Sequence, residues 1–135
     1  MKDGGEIGKK RADMTLSEQE VMRAIWEVTE SGETATTKTV RKRINEGRAE
    51  KLYGQIIYTH AAHLAEKGYL EIGRTENGNR VYIPLVEKDC YVAEQARGWA
   101  EFWRESRTAY VMMALGKSLS KEEKEEFGRY LDELD

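Results

Sequence analysis

Apolar side chains along this chain recur first at helical spacing, then at every second residue, then at helical spacing again, and each period marks an element. Val21, Ala24, Ile25 and Val28 form one inward stripe and predict a first helix. Ser17 as N-cap would put Glu20 at N3 in a capping box and Leu16 against Val21 as a hydrophobic staple. The rival box, Thr15 with Glu18, would need Gln19 to be apolar, so the Ser17 register is expected. Trp26 lies off the stripe and is assigned to packing on a neighbouring domain. Thr29 to Ala35 reads as loop. A second helix, about Thr36 to Glu46, turns Val40 and Ile44 inward, with Thr36 or Thr37 as its cap and Gly47 as its stop.

A third helix, about residues 53–67, buries Ile57, Ala61, Leu64 and Ala65 and ends at Gly68. The run Tyr69 to Leu85 then alternates. Leu70 and Ile72 face inward on one strand, and Val81, Ile83 and Leu85 on the next, up to Pro84. Asn77-Gly78 between them predicts a type I′ hairpin that pairs Glu76 with Asn79, Thr75 with Arg80 and Arg74 with Val81. From Lys88 to about Gly116 a single helix is expected, weakest near Gly98. Its heptad seam runs Val92, Ala96, Trp99, Trp103, Ser106, Tyr110, Met113. A last helix opens with a Ser120/Glu123 capping box after Leu119, and Phe127, Tyr130, Leu131 and Leu134 form its stripe.

Three helices followed by a hairpin make a winged helix. The fold class expected is therefore mostly α with a small β-hairpin wing: a winged helix-turn-helix followed by a C-terminal helical dimerisation part. Residues 1–14 are assigned to a flexible tail, 15–86 to a DNA-binding domain and 87–135 to a dimerisation domain. In the tail, Lys9, Lys10 and Arg11 are either solvated or an arm touching phosphate.

The outward face of the third helix is the candidate chemistry. Gln55, Ile56, Thr59, Ala62 and His63 form a surface with few charges, small residues, an amide and a hydroxyl. Such a face suits a major groove, where Gln pairs with adenine and aliphatic groups meet thymine methyls; the other reading is an ordinary half-buried helix. Gln55, Ile56, Thr59 and His63 are the candidate base readers. Lys38, Arg41, Lys42, Lys51, Arg74, Asn77 and Arg80 are the candidate phosphate contacts. Tyr53 and Gly54 give the third helix no side-chain cap, and a phosphate would fill that role. Val92, Ala96, Trp99, Trp103, Tyr110, Met113, Phe127 and Leu131 are the candidate dimer interface, because one small winged helix cannot bury such a seam.

Charge supports the division. The net charge is −3 over 135 residues. Thr36 to Arg80 carries nine Lys/Arg against five Asp/Glu, and Val86 to Asp135 carries eight against twelve. A basic middle and an acidic end separate a DNA-facing part from one kept off DNA. The lone Cys90 excludes an internal disulfide and fits a reducing, cytoplasmic setting. No apolar run approaches the length of a membrane span. His60, His63 and Cys90 are the only soft ligands, with no Cys pair or H-E-x-x-H pattern. No metal, cofactor or enzymatic activity is expected.

Three stretches in this order resemble the penicillinase-repressor family (BlaI/MecI/CopY type). LSEQEVMRAIW resembles its opening helix. HLAEKGYLEIGRTENGNRVYIPLV resembles the end of its recognition helix and its wing, and LSKEEKEEFGRYLDEL its last helix. The resemblance covers about Leu16 to Leu134. It implies a homodimeric transcriptional repressor on a dyad-symmetric operator, with a regulatory protease as a further candidate partner. This chain departs from the family in several places. Gln55 and Ile56 stand where members often carry Thr or Ser, while Thr59 keeps the family residue. His63 replaces a common Arg. Met112 and Met113 lie nearest the position where lactam-responsive members are cut before a Phe. The Cys-x-Cys pairs of copper-responsive members have no counterpart. The alternative is a winged helix that binds protein rather than DNA.

Overall fold

A computed structural model describes residues 11–116 and 120–134, with the side chains at 131 and 134 outside the description. Tail residues 1–10, Leu119 and the side chains of Leu131 and Leu134 therefore lie outside the described residues. The elements are α1 (Leu16–Glu30), α2 (Thr37–Asn45), α3 (Gly54–Glu66), β1 (Leu70–Arg74), β2 (Arg80–Pro84), α4 (Lys88–Phe102), α5 (Arg107–Leu115) and α6 (Lys121–Leu134). They fall into two compact units that divide after Lys88.

In the first unit the apolar stripes of α1, α2 and α3 meet. Val21, Met22 and Ile25 of α1, Val40 of α2, and Ile57, Ala61 and Leu64 of α3 are fully buried. The hairpin closes the core with Leu70 and Tyr82. Three helices with a hairpin wing make this a winged helix-turn-helix, as the periodicities predict. Trp26 is buried, and its indole N–H donates to the Val86 carbonyl at 2.9 Å.

The cap of α1 differs from expectation. Thr15, not Ser17, is the N-cap: its hydroxyl accepts from Glu18 N–H (3.1 Å), and Glu18 accepts from Thr15 N–H (3.0 Å). Leu16 is 76% exposed and staples nothing, while Met14 at N′ is buried. The reason is tertiary. Glu18 also receives the Lys67 ammonium at 2.6 Å, and Glu20 receives Arg48 at 3.2 Å. The Ser17 register would take Glu20 for a cap and leave Glu18 buried without its box.

Residues 11–13, which the tail assignment includes, are hydrogen-bonded to Lys67, Gly68 and Tyr69. Arg11 donates to the Gly68 carbonyl (2.9 Å), Tyr69 to that of Ala12 (2.7 Å) and Lys67 to that of Asp13 (2.8 Å). Residues 11–14 are thus strapped across the end of α3.

The hairpin register is shifted by one residue from the expected one. Arg74 faces Arg80, Ile72 faces Tyr82 and Leu70 faces Pro84. A type I′ turn needs positive φ at both central residues. Here Gly78 has φ +84° and Asn77 does not join it. Instead Gly78 N–H donates to Thr75 O (2.9 Å) and Thr75 N–H to Asn79 O (2.8 Å), the pattern of a type I turn with a glycine bulge. A one-residue slip exchanges the faces of a strand. So Tyr82 is buried, while Ile83 and Leu85, expected inside, are 42% and 55% exposed.

Tyr82 accounts for this choice. Its hydroxyl shares a 2.6 Å hydrogen bond with the Thr37 hydroxyl, and its N–H donates to Ala35 O at 2.8 Å. Burial pushes the phenol up from its ordinary value, against the lowering effects of the Thr37 bond and the Arg80 charge. Tyr82→Phe is expected to cost about 1 kcal/mol, read as a lower urea midpoint at unchanged slope; an unchanged midpoint would deny the bond this role.

In the second unit the single long helix expected from Lys88 to Gly116 is two helices. The break is not at Gly98, which lies inside α4, but at Trp103 to Ser106. Arg104 takes φ +58°. Arg104 N–H donates to Glu101 O (3.0 Å) and Glu105 N–H to Ala100 O (2.9 Å), a Schellman ending with arginine in the usual glycine place. Ser106 then caps α5. The seam is accordingly split: Val92, Ala96 and Trp99 belong to α4, and Tyr110 and Met113 to α5. Among the described residues, no helix is long and apolar enough to cross a membrane.

Candidate nucleic-acid interface

Helix α3 is held at both ends. Asn45, the last residue of α2, clips the connecting loop: its amide donates to Leu52 O (3.0 Å) and its carbonyl accepts from Leu52 N–H (2.8 Å). At the start of α3, a Cβ on Gly54 would sit 3.2 Å from the Thr37 methyl. The small residue therefore lets the first turns of α2 and α3 approach closely. No side chain caps α3. At its other end Gly68, with φ +88°, turns the chain into β1.

With the Ile57, Ala61 and Leu64 line buried, about 100° per residue puts Gln55, Thr59 and Glu66 at the crown of α3. Gln55, Ile56, Thr59 and His63 are all exposed. The Thr59 hydroxyl donates to Gln55 O at 2.9 Å, so it presents a methyl and acceptor lone pairs outward. Ile56 and His63 sit on one shoulder of the helix. There the His63 Nδ1 is 3.8 Å from a Glu18 oxygen. Glu66 was not singled out from the sequence, yet its carboxylate closes the crown toward the C-terminal end.

The opposite shoulder borders a hollow of about 510 Å³ between α2, α3 and the wing. Lys38, Gln55, Tyr58, Arg74, Asn79 and Arg80 line it, and no carboxylate does. The Arg80 guanidinium lies 3.9 Å over the centre of the Tyr58 ring. Arg74 donates across the turn to Gly78 O at 2.7 Å, and Asn77 is exposed at the tip. A second hollow, of about 750 Å³, is lined by Lys38, Arg41, Lys42 and Lys51 together with Glu46. Lys38, Arg41 and Lys42 are exposed and, among the described residues, make no ion pair. Lys51 is partly committed, donating to the carbonyls of Asn45 (2.8 Å) and Arg48 (2.6 Å). Arg43, from the same basic run, turns instead to Glu27 and Glu46, each at 3.5 Å.

Glu18 beneath the His63 shoulder is 4% exposed. Burial alone would raise its carboxyl, but the Lys67 hydrogen bond, the Thr15 N–H and the charges of Lys67 and His63 hold it below the ordinary value. Among the described residues, no group of three or more His, Cys, Asp or Glu is placed to hold a metal ion.

The family model described as Penicillinase repressor matches residues 14–133. The chain belongs to the penicillinase repressor family. It is a DNA-binding repressor by that membership, and its first unit has the winged-helix fold. Among solved structures, it is similar to a winged-helix DNA-binding protein from STIV: 13% identity, 64% of this chain and 90% of that one, TM-score 0.42. It is also similar to a Lactococcus lactis ZitR variant: 17% identity, 94% of this chain and 78% of that one, TM-score 0.40. Comparison with curated proteins finds no match.

In the repressor's second unit most of the described candidate interface residues are exposed. Val92, Trp99, Trp103 and Met113 are each about half exposed or more, and Ala96 is exposed. Tyr110 and Phe127 are half-buried. Phe102, absent from the expected seam, is 65% exposed and stacks edge-on with Trp99 and Trp103 at 5.6 and 4.9 Å. Its position at the C-terminus of α4, off the heptad, hid it from periodicity. Met112 and Met113 lie within helix α5.

Proposed function

We propose that this chain is a homodimeric repressor whose two α3 helices enter successive major grooves of a dyad-symmetric operator, about 34 Å apart. The observation that carries this is the pairing of surfaces on α3. An exposed crown of Gln55 and Thr59, nearly free of charge, stands beside a hollow lined by Lys38, Arg74 and Arg80 without a carboxylate. Glu66 at the far end of the crown repels phosphate and confines docking to the first two turns, where recognition helices present base-reading residues.

In this reading Gln55 and Thr59 read bases from the crown and Ile56 meets a methyl group. His63 reaches a base edge only from the shoulder it shares with Glu18. Lys38, Arg41, Lys42, Arg74, Asn77 and Arg80 hold the backbone, with Lys51 giving its remaining N–H. The acidic second unit pairs two chains and stays clear of the duplex. Transcription is blocked where the operator overlaps a promoter.

Titration against duplex from upstream of its own gene tests this. Specific binding is expected, with affinity falling about 10³-fold or more between about 50 and about 200 mM salt. Gln55→Ala narrows the gap between cognate and scrambled duplex. Arg80→Ala weakens both alike and lowers the salt slope by about 1. No binding at low salt would leave a winged helix that engages protein instead.

A further inference from the structure

We propose that Tyr58 is a positioning residue, whose ring fixes the Arg80 guanidinium in the hollow so that one backbone phosphate is gripped between the wing and the first turns of α2 and α3. The proposal rests on the DNA-binding reading above and goes beyond it by joining base readout to backbone contact through a single residue.

Arg80 begins β2 at the base of the wing turn and is exposed. An exposed arginine in this place would sample many rotamers, and ordering it on a phosphate would cost affinity. Here the guanidinium carbon already lies 3.9 Å over the centre of the Tyr58 ring. A guanidinium held on a ring by its face keeps its N–H edge for another partner. The edge is what a phosphate takes, in a two-point contact. Among the described residues no carboxylate pairs with Arg80 or competes for that edge.

The support under Tyr58 is rigid. The ring sits one helical turn from Gln55, on the side of α3 facing the wing. Behind it, Tyr82 is bonded to Thr37 at 2.6 Å, and Gly54 lets α2 and α3 close on each other. Lys38 reaches the same hollow from α2, and Asn79 and Arg74 from the wing. A phosphate there would meet cations from two sides, while α3, one turn away, presents Gln55 to a base. Any tilt of the wing would shift Arg80 against Gln55, and the Tyr58 ring ties the two together.

The test is a double-mutant cycle on the full chain, titrated against the upstream duplex and a scrambled duplex at fixed salt. Tyr58→Leu is expected to weaken both by about 3- to 10-fold. Tyr58→Phe, which keeps the ring, is expected to stay within about twofold of the parent. Arg80→Lys keeps the charge but loses the planar group over the ring, and should resemble Tyr58→Leu. In an Arg80→Ala background, Tyr58→Leu should add nothing further. The same loss in both backgrounds would make Tyr58 independent of Arg80 and overturn the proposal, as would parent-like binding by Tyr58→Leu. If Tyr58→Leu lowers the melting midpoint, the Tyr58→Phe and Arg80→Lys arms decide. A parent chain that binds neither duplex removes the DNA reading itself, and this proposal with it.

Discussion

A chain carrying Trp99→Glu and Phe102→Glu should sediment as a monomer at micromolar concentration and bind the operator about 10²- to 10⁴-fold more weakly. The expectation starts from exposure. In one unit Trp99, Phe102, Trp103, Met113 and Tyr130 are each 48% to 65% exposed. Soluble chains rarely leave large aromatic side chains clustered in water, so such a cluster marks an association surface. A second copy supplies an identical surface, as a two-fold interface requires. Pairing turns the second half-site contact into an intramolecular event, and the affinity gained that way disappears with the dimer. Because these side chains already face solvent, carboxylates are tolerated by the isolated fold, and the far-ultraviolet circular dichroism should not change. A variant that remains dimeric, or a parent that is already monomeric, would remove this face from the interface.

The second large effect concerns stability. Lys67→Met should destabilise the first unit by about 3 kcal/mol and lower its melting midpoint by about 10 °C. The Glu18 side chain is 5% exposed and Lys67 donates to it at 2.6 Å, so removing the ammonium leaves a buried charge poorly matched. The double variant Glu18→Gln, Lys67→Met should recover part of the loss, because no unpaired charge remains. The pH dependence has a definite sign. The folded Glu18 carboxyl is depressed below 4.5. Its contribution is therefore complete above that value and is lost as pH falls through the folded pKa. Lys67→Met removes the Lys67 hydrogen bond and charge that lower the Glu18 carboxyl, so the deficit shrinks on acidification. A variant as stable as the parent at neutral pH would show that the pair contributes nothing net.

Much of the candidate site was legible before folding. The stripe of Ile57, Ala61 and Leu64 fixes which side of α3 is buried, and Gln55 and Thr59 follow on the other side. That inference is local, since side chains on one helix are ordered by its pitch alone. Lys38, Arg41 and Lys42 were readable for the same reason. Tyr58 was not. It lies between the two faces, and its partner Arg80 is twenty-two residues away across a turn. Nothing local marks such a pair. Lys51 and Arg43 look alike in the sequence as spare cations, yet one is partly committed to the carbonyls of Asn45 and Arg48 and the other pairs with Glu27 and Glu46.

By itself, the order of residues determined three amphipathic helices, a hairpin at Tyr69 to Leu85, and a separate acidic, aromatic-rich end. These follow from periodic burial and from turn chemistry, both of which act over a few residues. Tertiary structure alone decided which of two capping boxes opens α1, which face of β2 goes inside, and where the long helix breaks. In the first case the free energies of two local options are close, and Lys67, forty-nine residues from Glu18, tips the balance. In the second, the Thr37 hydroxyl gives buried Tyr82 the partner it needs. In the third, Arg104 takes a backbone conformation its residue type disfavours, and Ala100 goes inside, 3% exposed.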